Sequence, residues 1–198
     1  MNLPNKLTLS RFALTVAFLA VLFSRIRFYE SIGLVLFSVA SLTDYFDGKI
    51  ARRDKLITNF GILMDPLADK ILVCSAFIAF IGLGWIEAWM VVIIVARELA
   101  ITGLRLLAAS KNLVLAAEGF GKHKTISQIV AILAILVFHS YQDWGIVGRV
   151  VFGFSLFSKW GPWIGWFMPL SIWVAVALTF TSGALYLWRN RELYLQDL

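Results

Sequence analysis

Apolar residues occupy this chain in long, nearly unbroken runs, and charged residues gather between them. The runs lack the strict alternation of half-buried strands and are broader than the single stripe of a surface helix. Each approaches the roughly 20 residues that a helix needs to cross the hydrocarbon core of a bilayer. The pattern predicts an all-α, polytopic membrane protein with six transmembrane helices, at about 8–24, 31–52, 60–83, 87–108, 123–140 and 163–188. Met1–Lys6 reads as a short interfacial segment before the first span. The stretch 141–162 is rich in Trp, Phe and Gly and reads as an interfacial loop, because aromatic rings favour the headgroup level. No linker, repeat or low-complexity tract divides the chain, so residues 1–198 form one expected domain.

Basic residues orient the spans. Lys6, Arg11, Lys49, Arg52, Arg53, Lys55, Arg105, Lys111, Lys122, Lys124, Arg189 and Arg191 fall on one side. Arg25, Arg27, Arg149 and Lys159 fall on the other. The first side is therefore cytoplasmic, with both termini, and 141–162 is extracytoplasmic.

Composition agrees. The chain is 60% hydrophobic and 15% charged, against roughly half and a quarter in soluble domains. The net charge of +6 reflects lysines and arginines facing anionic lipid and calls for no nucleic acid. The lone Cys74 excludes an intrachain disulfide and reads as a small buried hydrophobe. Ser24-Arg25-Ile26-Arg27 is no signal-peptide cleavage site.

Against this background the acidic residues change the picture. Of the twelve, Asp44, Asp47, Asp54, Asp65 and Asp69 fall in one short stretch. An ionised carboxylate at the centre of a membrane helix costs roughly 2.5 kcal/mol or more. Asp44 and Asp47 are three apart and Asp65 and Asp69 four apart, so each pair shares a helix face. The pairs stand near the cytoplasmic ends of consecutive helices and can converge at one depth. Carboxylates without His or Cys select hard cations such as Mg²⁺, Mn²⁺ or Ca²⁺ over zinc. Two ions bridged by carboxylates are a recurrent phosphoryl-transfer site. Gly48 and Ala51 lie at about +40° and −20° from Asp44 around the helix, leaving room for a bulky ligand. Pro66 can kink the third span.

The run Asp44-x2-Asp47-Gly48-x2-Ala51-Arg52-x8-Gly61-x3-Asp65-x3-Asp69 resembles the signature of the CDP-alcohol phosphatidyltransferase family at every fixed position. That resemblance implies a six-helix membrane fold, a homodimer and a cytoplasm-facing site; a bacterial inner membrane is the default location, with an organelle membrane descended from bacteria as the alternative. It implies two divalent ions, Mg²⁺ or Mn²⁺, on Asp44, Asp47, Asp65 and Asp69. It implies a CDP-lipid, CDP-diacylglycerol, held by Asp44, Gly48, Ala51, Arg52 and Gly61, and it makes Asp69 the general base. No Ser, Cys or His stands in a nucleophile arrangement, so direct transfer is expected rather than a covalent intermediate.

The signature leaves the acceptor open, and basic residues narrow it. Arg97 lies inside an apolar helix, and Glu98, Thr102 and Arg105 follow on one face. Lys122 and Lys124 lead into the fifth span, with Gln128 one turn on. Arg97, Thr102, Arg105, Lys122 and Lys124 together suit a phosphate on the acceptor. With Asn2-Leu3-Pro4-Asn5 and Thr8-x2-Arg11, these stretches resemble family members that use glycerol 3-phosphate. The resemblance covers about residues 1–135. Inositol phosphate, serine and phosphatidylglycerol are alternative acceptors. A divalent-cation transporter is a different reading, which would need polar residues continuing to the far side.

Overall fold

The structure is a computed structural model. It describes residues 3–54, 59–111, 113, 120–153 and 161–195; the side chains at 3–8, 44–54, 59–66, 68–69, 120–122 and 195 lie outside the described residues. Among the described residues the chain is all-helical. Six long helices are α1 (Leu3–Ser24), α2 (Tyr29–Asp54), α3 (Asn59–Gly82), α4 (Ala88–Ser110), α5 (Phe120–Ser140) and α7 (Trp163–Arg189). The short α6 (Gly145–Val151) and α8 (Glu192–Leu195) complete them. Two helical stretches, 123–151 and 163–189, are long and apolar enough to cross a membrane by length and composition. Leu9–Ser24, Tyr29–Thr43 and Lys70–Gly82 are shorter apolar helical stretches.

The sequence places the first span at residue 8, but α1 is already helical from Leu3. Pro4 is no obstacle, since an amide in the first turn has no intrahelical partner to lose. Similarly, α5 begins at Phe120 rather than 123. The expected 141–162 loop is partly helical: Tyr141–Trp144 form a 3-10 turn that runs into α6, and 154–160 lie outside the described residues.

Short turns force neighbouring helices together. Residues 25–28 reverse the chain between α1 and α2, with Arg25 and Phe28 at positive φ of 49° and 63°. Gly33 then lets α2 approach closely: a Cβ there would stand 3.0 Å from Leu22 Cδ2. Phe18 of α1 and Phe37 of α2 pack with ring centroids 5.8 Å apart. α1 contacts both α2 and α3, and α5 contacts α2, α3 and α7. The core at their centre includes Phe77, Phe80, Ile94, Ile132, Ile135 and Ala175. At the α3–α4 turn, Trp85 stacks on His139 of α5 at 4.0 Å and on Tyr29 of α2 at 6.3 Å. Trp144 Nε1 donates to Ser31 Oγ at 2.9 Å, tying the 3-10 turn to α2.

Much of the outer surface is apolar, and several polar side chains lie inside beside the apolar core. Val35, Val92, Leu99, Leu106, Phe180 and Trp188 are exposed, whereas Arg11, Glu98, Lys124, Gln128 and Thr179 are buried. Large apolar side chains outward and charged ones inward suit lipid surroundings rather than water.

Candidate active site

The acidic signature falls on two uninterrupted helices. Asp44, Asp47, Gly48, Ala51 and Arg52 belong to α2, and Gly61, Asp65 and Asp69 to α3. Their side chains, with that of Lys122, lie outside the described residues. The backbone still fixes their heights. Asp44 stands ten residues before the end of α2 and Asp69 ten after the start of α3. At 1.5 Å of rise per residue, both lie about 15 Å along their helices from the 55–58 connection. Asp47 and Asp65 lie roughly 10 Å from it by the same count. The helix backbones thus carry the four aspartate positions at two levels, and an all-oxygen donor set of this chemistry fits a hard divalent cation. Among the described residues no group of three or more His, Cys, Asp and Glu is placed to hold a metal ion.

α1 brings a cation to this end of the molecule. Arg11 is only 1% exposed, and Thr15 Oγ1 donates to its carbonyl at 2.8 Å. The α1–α2 turn puts Arg11, thirteen residues before Ser24, level with Leu42, thirteen after Tyr29. It is therefore buried near the height of Asp44. The sequence marked Arg11 as part of the basic side of the chain; its burial needed the packing of α1.

The expected acceptor residues divide into two sets. Arg97, Thr102 and Lys124 converge on Glu98, while Arg105 does not share those contacts. Arg97 Nη1 lies 3.3 Å from Glu98 Oε1, and Lys124 Nζ donates to the same oxygen. Thr102 Oγ1 donates to the Glu98 carbonyl at 2.7 Å and accepts from Lys70 Nζ. Lys70 follows Asp69 directly, so this network begins one residue from the expected base. Gln128, one turn beyond Lys124, donates to Thr179 Oγ1 of α7 at 3.0 Å. Polar contacts therefore link α3 to α4, α4 to α5, and α5 to α7. Lys70, Val73, Cys74, Glu98, Lys124, Thr125 and Gln128 line a small cavity there.

Arg97 also reaches α7. A Cβ on Gly183 would stand 2.7 Å from Arg97 Cγ, so the missing side chain is what admits the arginine stem. Arg105, by contrast, is exposed and lies over the ring of Tyr186 at 5.8 Å. It keeps nearly the rotational phase of Glu98 but stands seven residues on, about two turns or roughly 10 Å along the helix. Lys70 and Glu98 are the members of this polar network that sequence reasoning did not assign to the candidate site. Glu98 had a signal, as a carboxylate beside Arg97 in an apolar run.

Comparison with known proteins adds a separate line of support. The family model described as CDP-alcohol phosphatidyltransferase matches residues 1–181. A CDP-diacylglycerol–glycerol-3-phosphate 3-phosphatidyltransferase of Bacillus subtilis (strain 168) is 41% identical, covering 96% of each chain. One from Rickettsia bellii is 32% identical over 93% of each. A probable phosphatidylglycerophosphate synthase of Mycobacterium tuberculosis is 41% identical over 66% of this chain and 64% of its own.

Proposed function

The chain belongs to the CDP-alcohol phosphatidyltransferase family, and from that premise we propose that it transfers the phosphatidyl group of CDP-diacylglycerol to glycerol 3-phosphate. The products are phosphatidylglycerophosphate and CMP. The observation that carries this reading is near-full-length similarity to a relative named for that reaction, at 41% identity. The buried Lys124 and the half-buried Arg97 agree with it, because a phosphorylated acceptor calls for such groups.

In this reading Asp44, Asp47, Asp65 and Asp69 hold two Mg²⁺ or Mn²⁺ ions. When bound, such ions neutralise the diphosphate and stabilise departing CMP. Asp44, Gly48, Ala51, Arg52 and Gly61 bind the CDP moiety, the small residues making room for it. Arg97, Thr102, Arg105, Lys122 and Lys124 hold the acceptor phosphate. Asp69 takes the proton from the acceptor hydroxyl as its oxygen attacks the β-phosphorus in line. A new P–O bond forms, the P–O bond to CMP breaks, and CMP leaves with the electron pair. The anhydride supplies the driving force, so no ATP enters.

The same reading places the protein in a bacterial inner membrane as a single six-span domain and homodimer. Both termini and the site face the cytoplasm, where CDP-lipid headgroups and glycerol 3-phosphate meet. Purified enzyme with CDP-diacylglycerol, a divalent ion and a panel of acceptors tests it. Glycerol 3-phosphate should support CMP release; turnover confined to inositol phosphate, serine or phosphatidylglycerol would replace it.

A further inference from the structure

We propose that Glu98 is a positioning residue for acceptor recognition, holding Lys124 and Arg97 in the arrangement that receives the acceptor's phosphate. The inference rests on the acceptor reading above and extends it to a residue that touches no substrate.

Glu98 is 7% exposed on a helix that is otherwise largely apolar. A carboxylate buried in such surroundings is retained only with counter-charges. Among the described residues it has two, from two helices: Arg97 on its own α4 and Lys124 on α5 meet the single oxygen Oε1. Both are among the cations expected to bind the acceptor phosphate. An ammonium has three donors and a guanidinium five, so one shared oxygen orients both groups without exhausting either.

Stability alone is a weak reason for this arrangement. Buried ion pairs seldom stabilise more than well-packed apolar residues of the same volume. A lysine stem, however, has four rotatable bonds, and ordering it on binding is costly in entropy. Held by Glu98, Lys124 is ordered before the acceptor arrives. Preorganisation of this kind lowers the cost of binding.

The position of Glu98 joins that order to the reacting end of the molecule. Its carbonyl accepts from Thr102, whose hydroxyl accepts from Lys70, the neighbour of Asp69 in α3. One residue thus fixes α5 through its side chain and α3 through its backbone. Loss of its charge should disturb the acceptor more than the donor, because the CDP-lipid residues lie on α2 and the start of α3.

The test is steady-state CMP release by the full-length protein in detergent micelles. Wild type, Glu98→Gln, Glu98→Asp, Lys124→Gln and the Glu98→Gln/Lys124→Gln double variant are compared. Glu98→Gln should raise KM for the acceptor on the order of tenfold, with KM for CDP-diacylglycerol little changed. Glu98→Asp should recover part of the loss, and the double variant should be no worse than Lys124→Gln alone, since coupled residues are non-additive. If Glu98→Gln does not fold, the aspartate variant carries the same KM comparison. Equal rises in both KM values, or strictly additive losses, would overturn the inference while leaving the acceptor reading intact. If wild type turns over another phosphorylated alcohol, the comparison is made with that acceptor. Turnover of unphosphorylated acceptors alone would end both.

Discussion

Lys70 Nζ of α3 donates to Thr102 Oγ1 of α4, one residue along the chain from Asp69. The contact ties the helix of the expected base to the helix of the expected acceptor residues. Its partners are half-buried, and Thr102 passes the interaction to the Glu98 carbonyl at 2.7 Å.

Thr102→Val keeps the shape and removes the hydroxyl, leaving the Lys70 amine without that acceptor. A hydrogen bond between half-buried groups contributes about 0.5–1.5 kcal/mol. The variant should unfold at lower temperature and lose turnover, while Thr102→Ser should retain most of both. Thermal unfolding in detergent beside CMP release separates them; equal behaviour of Val and Ser would show that the hydroxyl is idle.

Gly183→Ala places a methyl where the Arg97 stem now runs, 2.7 Å from Cγ. The clash is near the root of the side chain, so the Arg97 stem must shift away from α7, which disturbs its contact with Glu98. Overpacking of this kind costs about 1–3 kcal/mol. The acceptor KM should rise several-fold with the donor KM little affected, as read from paired substrate titrations. Unchanged kinetics with a normal unfolding temperature would mean that Arg97 adapts without consequence.

Gln128 and Thr179 are buried and joined at 3.0 Å between α5 and α7. Hydrogen bonds between helices in a membrane average about 0.6 kcal/mol and reach about 1.7. Gln128→Leu and Thr179→Val should each destabilise, and the double variant should be more stable than the sum of the two. Unfolding temperatures of all four proteins complete the cycle, and strict additivity would show that the bond carries no coupling.

The helices were legible because their signal is local. Apolar runs ended by charge, Gly or Trp place the starts of α2, α3, α4 and α7 within two residues of the structure. Hydropathy marks what suits lipid rather than where hydrogen bonding stops, which is why α1 and α5 begin earlier than expected. The acidic signature was legible by spacing alone. The Glu98 network was not, because Lys124 is 26 positions away and the contact depends on how α4 and α5 rotate against each other. Arg105 is similar: periodicity gave its phase on α4, but its place over the Tyr186 ring depends on how α4 packs against α7.

Asp69→Asn preserves size and removes the proposed proton acceptor. General-base catalysis contributes roughly 10²–10⁴-fold. Turnover should fall by at least the lower figure while CDP-diacylglycerol still binds. Equilibrium binding of a CDP-lipid analogue, measured beside kcat, decides the matter. Equal loss of binding and turnover would make Asp69 chiefly a metal ligand.

The most direct test of the whole account is CMP release from CDP-diacylglycerol by the purified protein, with acceptor and divalent ion varied independently. Release should require glycerol 3-phosphate, stop when a chelator removes the ion, and return on adding Mg²⁺ or Mn²⁺. Release that proceeds without a phosphorylated acceptor, or continues undiminished in chelator, would contradict it.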